Sequence, residues 1–288
     1  MKHKGWLIYS EQDANENESY INWYIEEANK QDLQIELVLR EKLTIGIREN
    51  KHMLLVNNRK VTLPEFSIVR TIEPLLSIQL EQLGIAVFNS SKVADICNHK
   101  GKTYYEIAKL GIPMVDTYFA MHKNLTKAPP MSYPFVIKEV SGRGGKQVYI
   151  IKTLEHWHTF FESSSAVEYV IQSTNVQLGK DLRVFVIGNE IIGAVLRESN
   201  DDFRSNYKLG GKAIWYELNP TEEKIVRTII HHFEFGLVGI DFLFSPEDEL
   251  LFNEIEDVVG SRTLSAVSDI NIVERYISFI KTKISLDA

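Results

Sequence analysis

At 288 residues, with 44% hydrophobic and 25% charged side chains, the chain has the balance of a folded globular protein and is long enough that two or three subdomains are expected. Its formal net charge of -7 is opposite in sign to the basic footprint of nucleic-acid binders, which excludes DNA or RNA as the expected main partner. No apolar run approaches the roughly 20 residues that cross a bilayer and the start of the chain lacks a secretory core, so no membrane association is expected and the cytoplasm is the expected compartment.

Residues 4–90 alternate strand-like and helix-like patterns. A strand at 5–9, a helix around 19–31, a strand at 35–39, a strand at 66–69, a helix from Pro74 and a strand at 86–88 make a small α/β unit. Asn57-Asn58, between apolar flanks, predicts a hairpin turn because asparagine tolerates positive φ. Asn89-Ser90-Ser91 marks the expected boundary. A single helix over 95–110 follows, stopped by Gly111 and Pro113. Strands at 135–138 and 148–151 flank a Gly-rich turn, and Lys127-Ala128-Pro129-Pro130 reads as a surface loop. Two strands, 182–187 and 190–196, are joined at Gly188-Asn189 as a hairpin. A helix at 222–234, strands at 239–244 and 250–256, and an amphipathic helix at 271–283 close the chain. The expected division is 1–90, 91–168 and 169–288.

Polar residues set into these apolar strands carry the functional signal. Glu254 and Glu256 are two apart on a strand, so they project from one face and can share a cation. An antiparallel turn through Ser245-Pro246-Glu247-Asp248 would bring Asp241 to the same point, where three carboxylates call for a compensating metal. Ser141-Gly142-Arg143-Gly144-Gly145-Lys146 lets backbone N–H groups approach an anion, although Val140 and Gln147 exclude a Walker A loop. Lys138 ends the apolar run Phe135-Val136-Ile137, and Lys100 stands near a helix start; both suit phosphate. Acids that hold a hard cation, together with lysines and arginines that neutralise phosphates, point to an ATP-using enzyme. Cys97 is the only cysteine, so a disulfide and a multi-cysteine metal site are excluded, and a small buried residue is the expected role. His156, His158, His231 and His232 fall on helices, with exposed or capping roles expected.

The ordered set of motifs resembles the ATP-grasp superfamily, specifically the RimK-like carboxylate-amine ligases. The resemblance runs through Asn98-His99-Lys100-Gly101-Lys102-Thr103, Gly111-Ile112-Pro113, Pro134-Phe135-Val136-Ile137-Lys138 and Val170-Ile171-Gln172. It continues through Gly179-Lys180-Asp181-Leu182-Arg183, Asp202-Phe203-Arg204-Ser205-Asn206 with Gly210-Gly211, and Gly239-Ile240-Asp241. It implies an α/β ATP-grasp fold of α+β lobes preceded by a Rossmann-like pre-ATP-grasp domain that forms one wall of the acceptor site. It also implies ATP with Mg2+, Mn2+ being the alternative. In that reading Lys100, Lys138 and the loop at Gly144 contact phosphates, Gln172 lines the adenine side, Asp181 lies near the ribose, and Arg183 belongs to the nucleotide site. Arg197, Arg204 and Asn206 surround the transferring phosphoryl group, and Asp241, Glu254 and Glu256 bind the metal. Arg262 faces the acyl-phosphate or a substrate carboxylate, and Arg70 is either presented to substrate or held in a surface salt bridge. Three departures stand out. Glu256 replaces the usual Asn, Ser173 replaces a frequent Glu, and residues 257–262 lack the common Ser-Pro-Gly.

The implied reaction joins a small-molecule or peptide carboxylate to an amine through an acyl-phosphate, releasing ADP. A phosphotransferase of the same architecture and a nucleotide-binding module without turnover are the alternatives, and a homodimer is left open.

Overall fold

The computed structural model describes residues 3–142, 147–199 and 211–286, a mixed α/β structure with a four-stranded parallel sheet, antiparallel sheets of four and five strands, and a hairpin. The first region runs β1 (His3–Tyr9), α1 (Glu11–Glu16), α2 (Glu18–Lys30), β2 (Leu33–Leu39), β3 (Leu43–Arg48), β4 (Lys51–Val56), β5 (Phe66–Val69), α3 (Pro74–Gln82) and β6 (Ala86–Phe88). Strands β2-β1-β5-β6 form the parallel sheet in that order. Both faces are covered, which is why β1 and β5 read as continuous apolar runs. Leu7, Tyr9, Phe66 and Ile68 pack on one side with Tyr24 and Ala28 of α2. Trp6, Ile8 and Val69 pack on the other with Leu76 and Leu80 of α3 and with Leu43 and Leu54 of the β3-β4 hairpin.

That hairpin corrects the sequence expectation. Strands β3 and β4 pair through Glu49 and Asn50, which hold φ of 52 and 58°. Asn57 and Asn58 do turn, at φ 50 and 60°, but close onto a single Val56–Arg59 bridge. Both reversals use left-handed residues, and only the first is flanked on both sides by an alternating apolar pattern that reaches the α3 layer.

Helices α4 (Ser91–Cys97) and α5 (Lys100–Lys109) replace the single helix expected over 95–110. The break follows from competing polar groups: the Asn98 amide turns back to the Ala94 carbonyl (2.7 Å) and reaches Asp257 (2.9 Å), while His99 Nδ1 caps α5 at the Lys102 N–H. Next come β7 (Thr117–Met121), β8 (Phe135–Glu139), β9 (Val148–Ile151), α6 (Leu154–Ser163) and β10 (Glu168–Ser173), in an antiparallel sheet ordered β7-β10-β8-β9. Trp157 and Phe160 of α6 cover Phe135, Ile137, Tyr169 and Ile171. By alternation Lys138 and Gln172 face the other way.

The last region comprises β11 (Lys180–Ile187), β12 (Glu190–Glu198), β13 (Lys212–Tyr216), α7 (Pro220–His232), β14 (Leu237–Phe244), β15 (Leu250–Glu256), α8 (Arg262–Val267) and α9 (Ile272–Leu286). Its sheet is antiparallel, ordered β13-β12-β11-β14-β15. The β11-β12 hairpin turns at Gly188, φ 56°, as the sequence indicates. Helix α7 begins with a complete Asn219–Glu222 capping box and buries Val226, Ile229 and Ile230 against Leu182, Val184, Ile240 and Phe242. On the opposite face Phe185, Ile187 and Val195 join Leu264 of α8 and the buried side of α9 in a cluster that also contains Leu7, Tyr9, Tyr24 and Phe66. Asn89 fastens the junction, accepting from the Gly236 N–H (2.6 Å) and donating to the Leu237 and Asp257 carbonyls (both 2.9 Å). No helix among the described residues is long and apolar enough to cross a membrane.

Candidate functional site

Strand alternation assembles the charged residues. On β11, Asp181 and Arg183 point to one face while Leu182 and Val184 point into the α7 core. Antiparallel register sets Asp181 opposite Arg197 of β12, and Arg183 opposite Asp241, which lies inside β14. Across β15, Asp241 meets Glu254 and Gly239 meets Glu256. The register slips between Asp241 and Phe242, leaving Asn253 as an extra residue on β15. This bulge lets Phe252 and Ile255, three positions apart, both enter the core while Glu254 and Glu256 remain on the polar face.

The contacts form one network. Arg183 grips Asp241 with two bonds of 2.7 and 2.6 Å and reaches Glu256 with its third nitrogen at 2.8 Å. Arg197 grips Asp181 at 2.5 and 2.9 Å and adds a 2.8 Å bond to Asp241. Asp241 is 1% exposed. Burial works against its charge, but Arg183 and Arg197 prevail and hold the carboxyl down at about 2. Glu256 moves the opposite way: burial first, then the like charges of Asp241 and Glu254, push it up against the pull of Arg183. Its side chain keeps 36% accessibility, so water limits that push.

Two lysines approach from the central sheet and α5. Lys138 Nζ donates to Asn253 Oδ1 at 2.9 Å, and Lys100 Nζ donates to the Gly142 carbonyl at 2.6 Å and lies 3.7 Å from Glu254. Burial pushes the Lys138 ammonium down to about 8, with Glu254 pulling it up and Lys100 pressing it further down. Four carboxylates therefore face four cationic side chains. Behind them Gln172, buried at the end of β10, donates to Tyr104 Oη (2.8 Å) and Thr117 Oγ1 (3.0 Å), and Tyr104 in turn donates to the Asn253 carbonyl (2.6 Å).

Oxygens of Asp241, Glu254 and Glu256 lie within 4.8 Å of one another. An all-carboxylate set suits a hard divalent cation such as Mg2+ or Mn2+ and fits neither a thiolate nor an imidazole metal. Arg183 bridges two of the three acids and keeps them close together.

The structure thus brings together Lys100, Lys138, Asp181, Arg183, Arg197, Asp241, Glu254 and Glu256, with Gln172 joined through Tyr104. Arg262 is elsewhere: it opens α8, is exposed, and donates to Asn17 Oδ1 at 3.3 Å. Gly144, Arg204 and Asn206 lie outside the described residues. Tyr104 is not marked out by the sequence, and Asn253 stands out there only as the polar start of the run Asn253-Glu254-Ile255-Glu256, without a role of its own. Asn253 adjoins the acidic pair and its polarity was visible, whereas the bulge that aims it at Lys138 depends on pairing across the sheet. Tyr104 lies within an ordinary amphipathic helix and gave no signal.

The sequence matches the family model of the RimK-like ATP-grasp domain over residues 98–280. The chain belongs to the RimK-like ATP-grasp family. It is 28% identical over 250 residues to human N-acetylaspartylglutamate synthase A, covering 81% of this chain and 64% of that protein. It is also 28% identical over 220 residues to the glutamate–LysW ligase ArgX of Sulfurisphaera tokodaii, covering 73% of this chain and 77% of that one. A RimK-domain ATP-grasp protein of Sphaerobacter thermophilus shares the fold at a TM-score of 0.73 and 15% identity, covering 96% of this chain and 98% of the other. The ATP-grasp ligase PsnB, solved with a minimal precursor, Mg and ADP, does so at 0.69 and 14% identity, covering 97% of each chain. The chain spans about two thirds of the human protein's length, 64% of it. ATP-grasp ligases use ATP and a divalent metal, the pair for which the donors above are suited.

Proposed function

We propose that the chain is an ADP-forming carboxylate-amine ligase acting on amino acids or peptides. The observation that carries this reading is the closure of Asp241, Glu254 and Glu256 around one point, opposite Lys138 and Lys100. In this reading the three acids hold Mg2+, or Mn2+ in its place, and the bound cation would neutralise the triphosphate charge. Lys138 and Lys100 hold phosphate oxygens, and Gln172 with Tyr104 borders the base. Arg183 and Arg197 fix the acids and stand over the phosphoryl group, with Asp181 holding Arg197 in place. Arg204, Asn206 and the loop at Gly144 complete the nucleotide side as the sequence implies, and the three parts 1–90, 91–168 and 169–288 enclose the site.

The chemistry needs positioning and charge neutralisation more than a protein nucleophile. A substrate carboxylate oxygen forms a bond to the γ-phosphorus as the bond to the ADP oxygen breaks. The amine nitrogen then bonds to the carbonyl carbon, the acyl carbon–oxygen bond to phosphate breaks, and the amine gives up a proton. The two relatives, an N-acetylaspartylglutamate synthase and a glutamate–LysW ligase, support an amino acid or peptide as the substrate class.

Lys138→Ala and Glu254→Ala should each lower substrate-dependent ADP release by at least about 100-fold while circular dichroism remains that of the parent protein. Turnover at the parent rate in both folded variants would refute the assignment. Product mass separates an amide from a phosphorylated acceptor.

A further inference from the structure

Strand β15 is held from outside its own sheet just where its pairing slips. Before the slip, the Phe252 N–H donates to the Pro113 carbonyl at 2.8 Å and Phe252 bridges Met114. At the slip, Tyr104 Oη donates to the Asn253 carbonyl at 2.6 Å, and Asn253 Oδ1 accepts from Lys138 Nζ at 2.9 Å. A bulged residue stands outside the ladder, so its groups can turn to other partners. Asn253 is thereby fastened by its main chain to α5 and by its side chain to β8.

The proton order behind Asn253 runs one way. Thr117 Oγ1 donates to the Val115 carbonyl at 2.8 Å, so toward Gln172 it can only accept. Gln172 Nε2 uses its two hydrogens on Thr117 Oγ1 and Tyr104 Oη, at 3.0 and 2.8 Å. The phenol proton of Tyr104 is then left for the Asn253 carbonyl. Gln172 and Tyr104 are both buried, and the Tyr104 ring stands edge-on to Phe252 with centroids 5.7 Å apart. A buried chain satisfied at each step is rigid, and its end is the backbone of Asn253.

The choice of a neutral acceptor has a physical reason. Glu254 follows Asn253 in the chain, and its charge acts on Lys138 more strongly than any other. Among the described residues, however, Lys138 has no carboxylate within ion-pair distance, while Lys100 lies 3.7 Å from Glu254. A lysine on a flexible four-carbon stem would swing onto that acid if nothing else held it, and the two groups would then neutralise each other. An amide oxygen binds the ammonium by a charge-assisted hydrogen bond and leaves its full charge for an anion.

We propose that Asn253, held by Tyr104, is the positioning residue of Lys138: it keeps the ammonium off Glu254, so that the lysine meets a phosphate oxygen and the acid stays open to the cation. This rests on the assignment of Lys138 to phosphate in the ligase reading, but its test reads binding and not turnover. The full chain is titrated by calorimetry with MgADP and, separately, with Mn2+ alone. Asn253→Ala should weaken MgADP about tenfold, the worth of one hydrogen bond to a charged group. It should also weaken Mn2+ severalfold, because the released ammonium reaches Glu254. In a Lys138→Ala background nothing remains to be positioned. There the same substitution should change MgADP affinity by less than about twofold, with Mn2+ affinity back at the parent value. Tyr104→Phe keeps the ring against Phe252 and removes only the hydroxyl; it should give the same pattern with a smaller loss, and it carries the cycle if Asn253→Ala fails to fold by circular dichroism. Equal losses with and without Lys138 would mark a structural role only and overturn the proposal. Parent MgADP affinity in both variants, undiminished Mn2+ affinity in both, or a parent protein that binds no MgADP would overturn it too. Coupling of Asn253 to Lys138 in a protein that releases no ADP with any acid and amine would sink the ligase reading and leave the positioning intact; ADP release with additive losses would do the reverse.

Discussion

Lys138 shows how one residue can be legible in a sequence while its electrostatics are not. A lysine closing the apolar run Phe135-Val136-Ile137 signals a functional cation, because strand alternation must send it away from the Trp157 side of the sheet. The depth of its burial depends on β15 and α5, which are distant in sequence. Burial brings its ammonium down to about 8, a balance that Glu254 and Lys100 pull in opposite directions. Below that pH the side chain carries the charge a phosphate needs; above it the neutral form dominates and binding must take up a proton. Affinity for MgATP should therefore hold between pH 6.5 and 7.5 and then fall toward tenfold per pH unit above about 8. Lys138→Arg keeps its charge throughout and should flatten this limb, as followed by calorimetry from pH 6.5 to 9.5. Coincident profiles for the two proteins would remove Lys138 from the phosphate site. Arg197 and Asp181 were legible as functional types, but their mutual pairing appears only when β11 and β12 are laid side by side.

At the scale of elements, the hairpin of β14 and β15 was readable from its turn and its two-residue acidic spacing, and the observed register sets Asp241 opposite Glu254. The bulge at Asn253 was not readable, since nothing local distinguishes an inserted residue from a paired one. The break between α4 and α5 was missed for a related reason: Asn98 and His99 are tolerated within a helix unless a partner such as Asp257 is near. Gly239 makes the crossing of these elements testable. It faces Glu256 across the strands and leaves room for Val259 and Arg183, whose nearest atoms would stand 2.8 and 3.3 Å from an added Cβ. The branched Val259 side chain is fully packed and cannot swing aside as a long side chain can. Gly239→Ala should cost roughly 1–3 kcal/mol in urea unfolding. It should also weaken Mn2+ binding, because Arg183 must shift from Asp241. Parent stability together with parent Mn2+ affinity would show that the crossing has slack.

Across the whole molecule, the closing helix was legible as amphipathic, but its destination was not, because no local pattern states which sheet an apolar stripe covers. It lands between the two ends of the chain. Tyr276, Ile277 and Ile280 of α9 share one cluster with Leu7, Tyr24 and Phe66 of the first region and with Phe185, Ile187 and Val195 of the five-stranded sheet. The first sheet lacks a closed core of its own on that side, so its stability is bound to the C-terminal region. Ile280 is completely buried there. Ile280→Ala removes a branched side chain from a site flanked by two sheets and α2, where collapse of the cavity is hindered, and the expected loss is about 2–5 kcal/mol. Because the same cluster supports both sheets, the loss should displace one common transition: far-ultraviolet circular dichroism and tryptophan fluorescence should move together to lower urea. Separate midpoints for the two signals in the variant would mean that the first region and the five-stranded sheet unfold independently, and that α9 fastens only one of them.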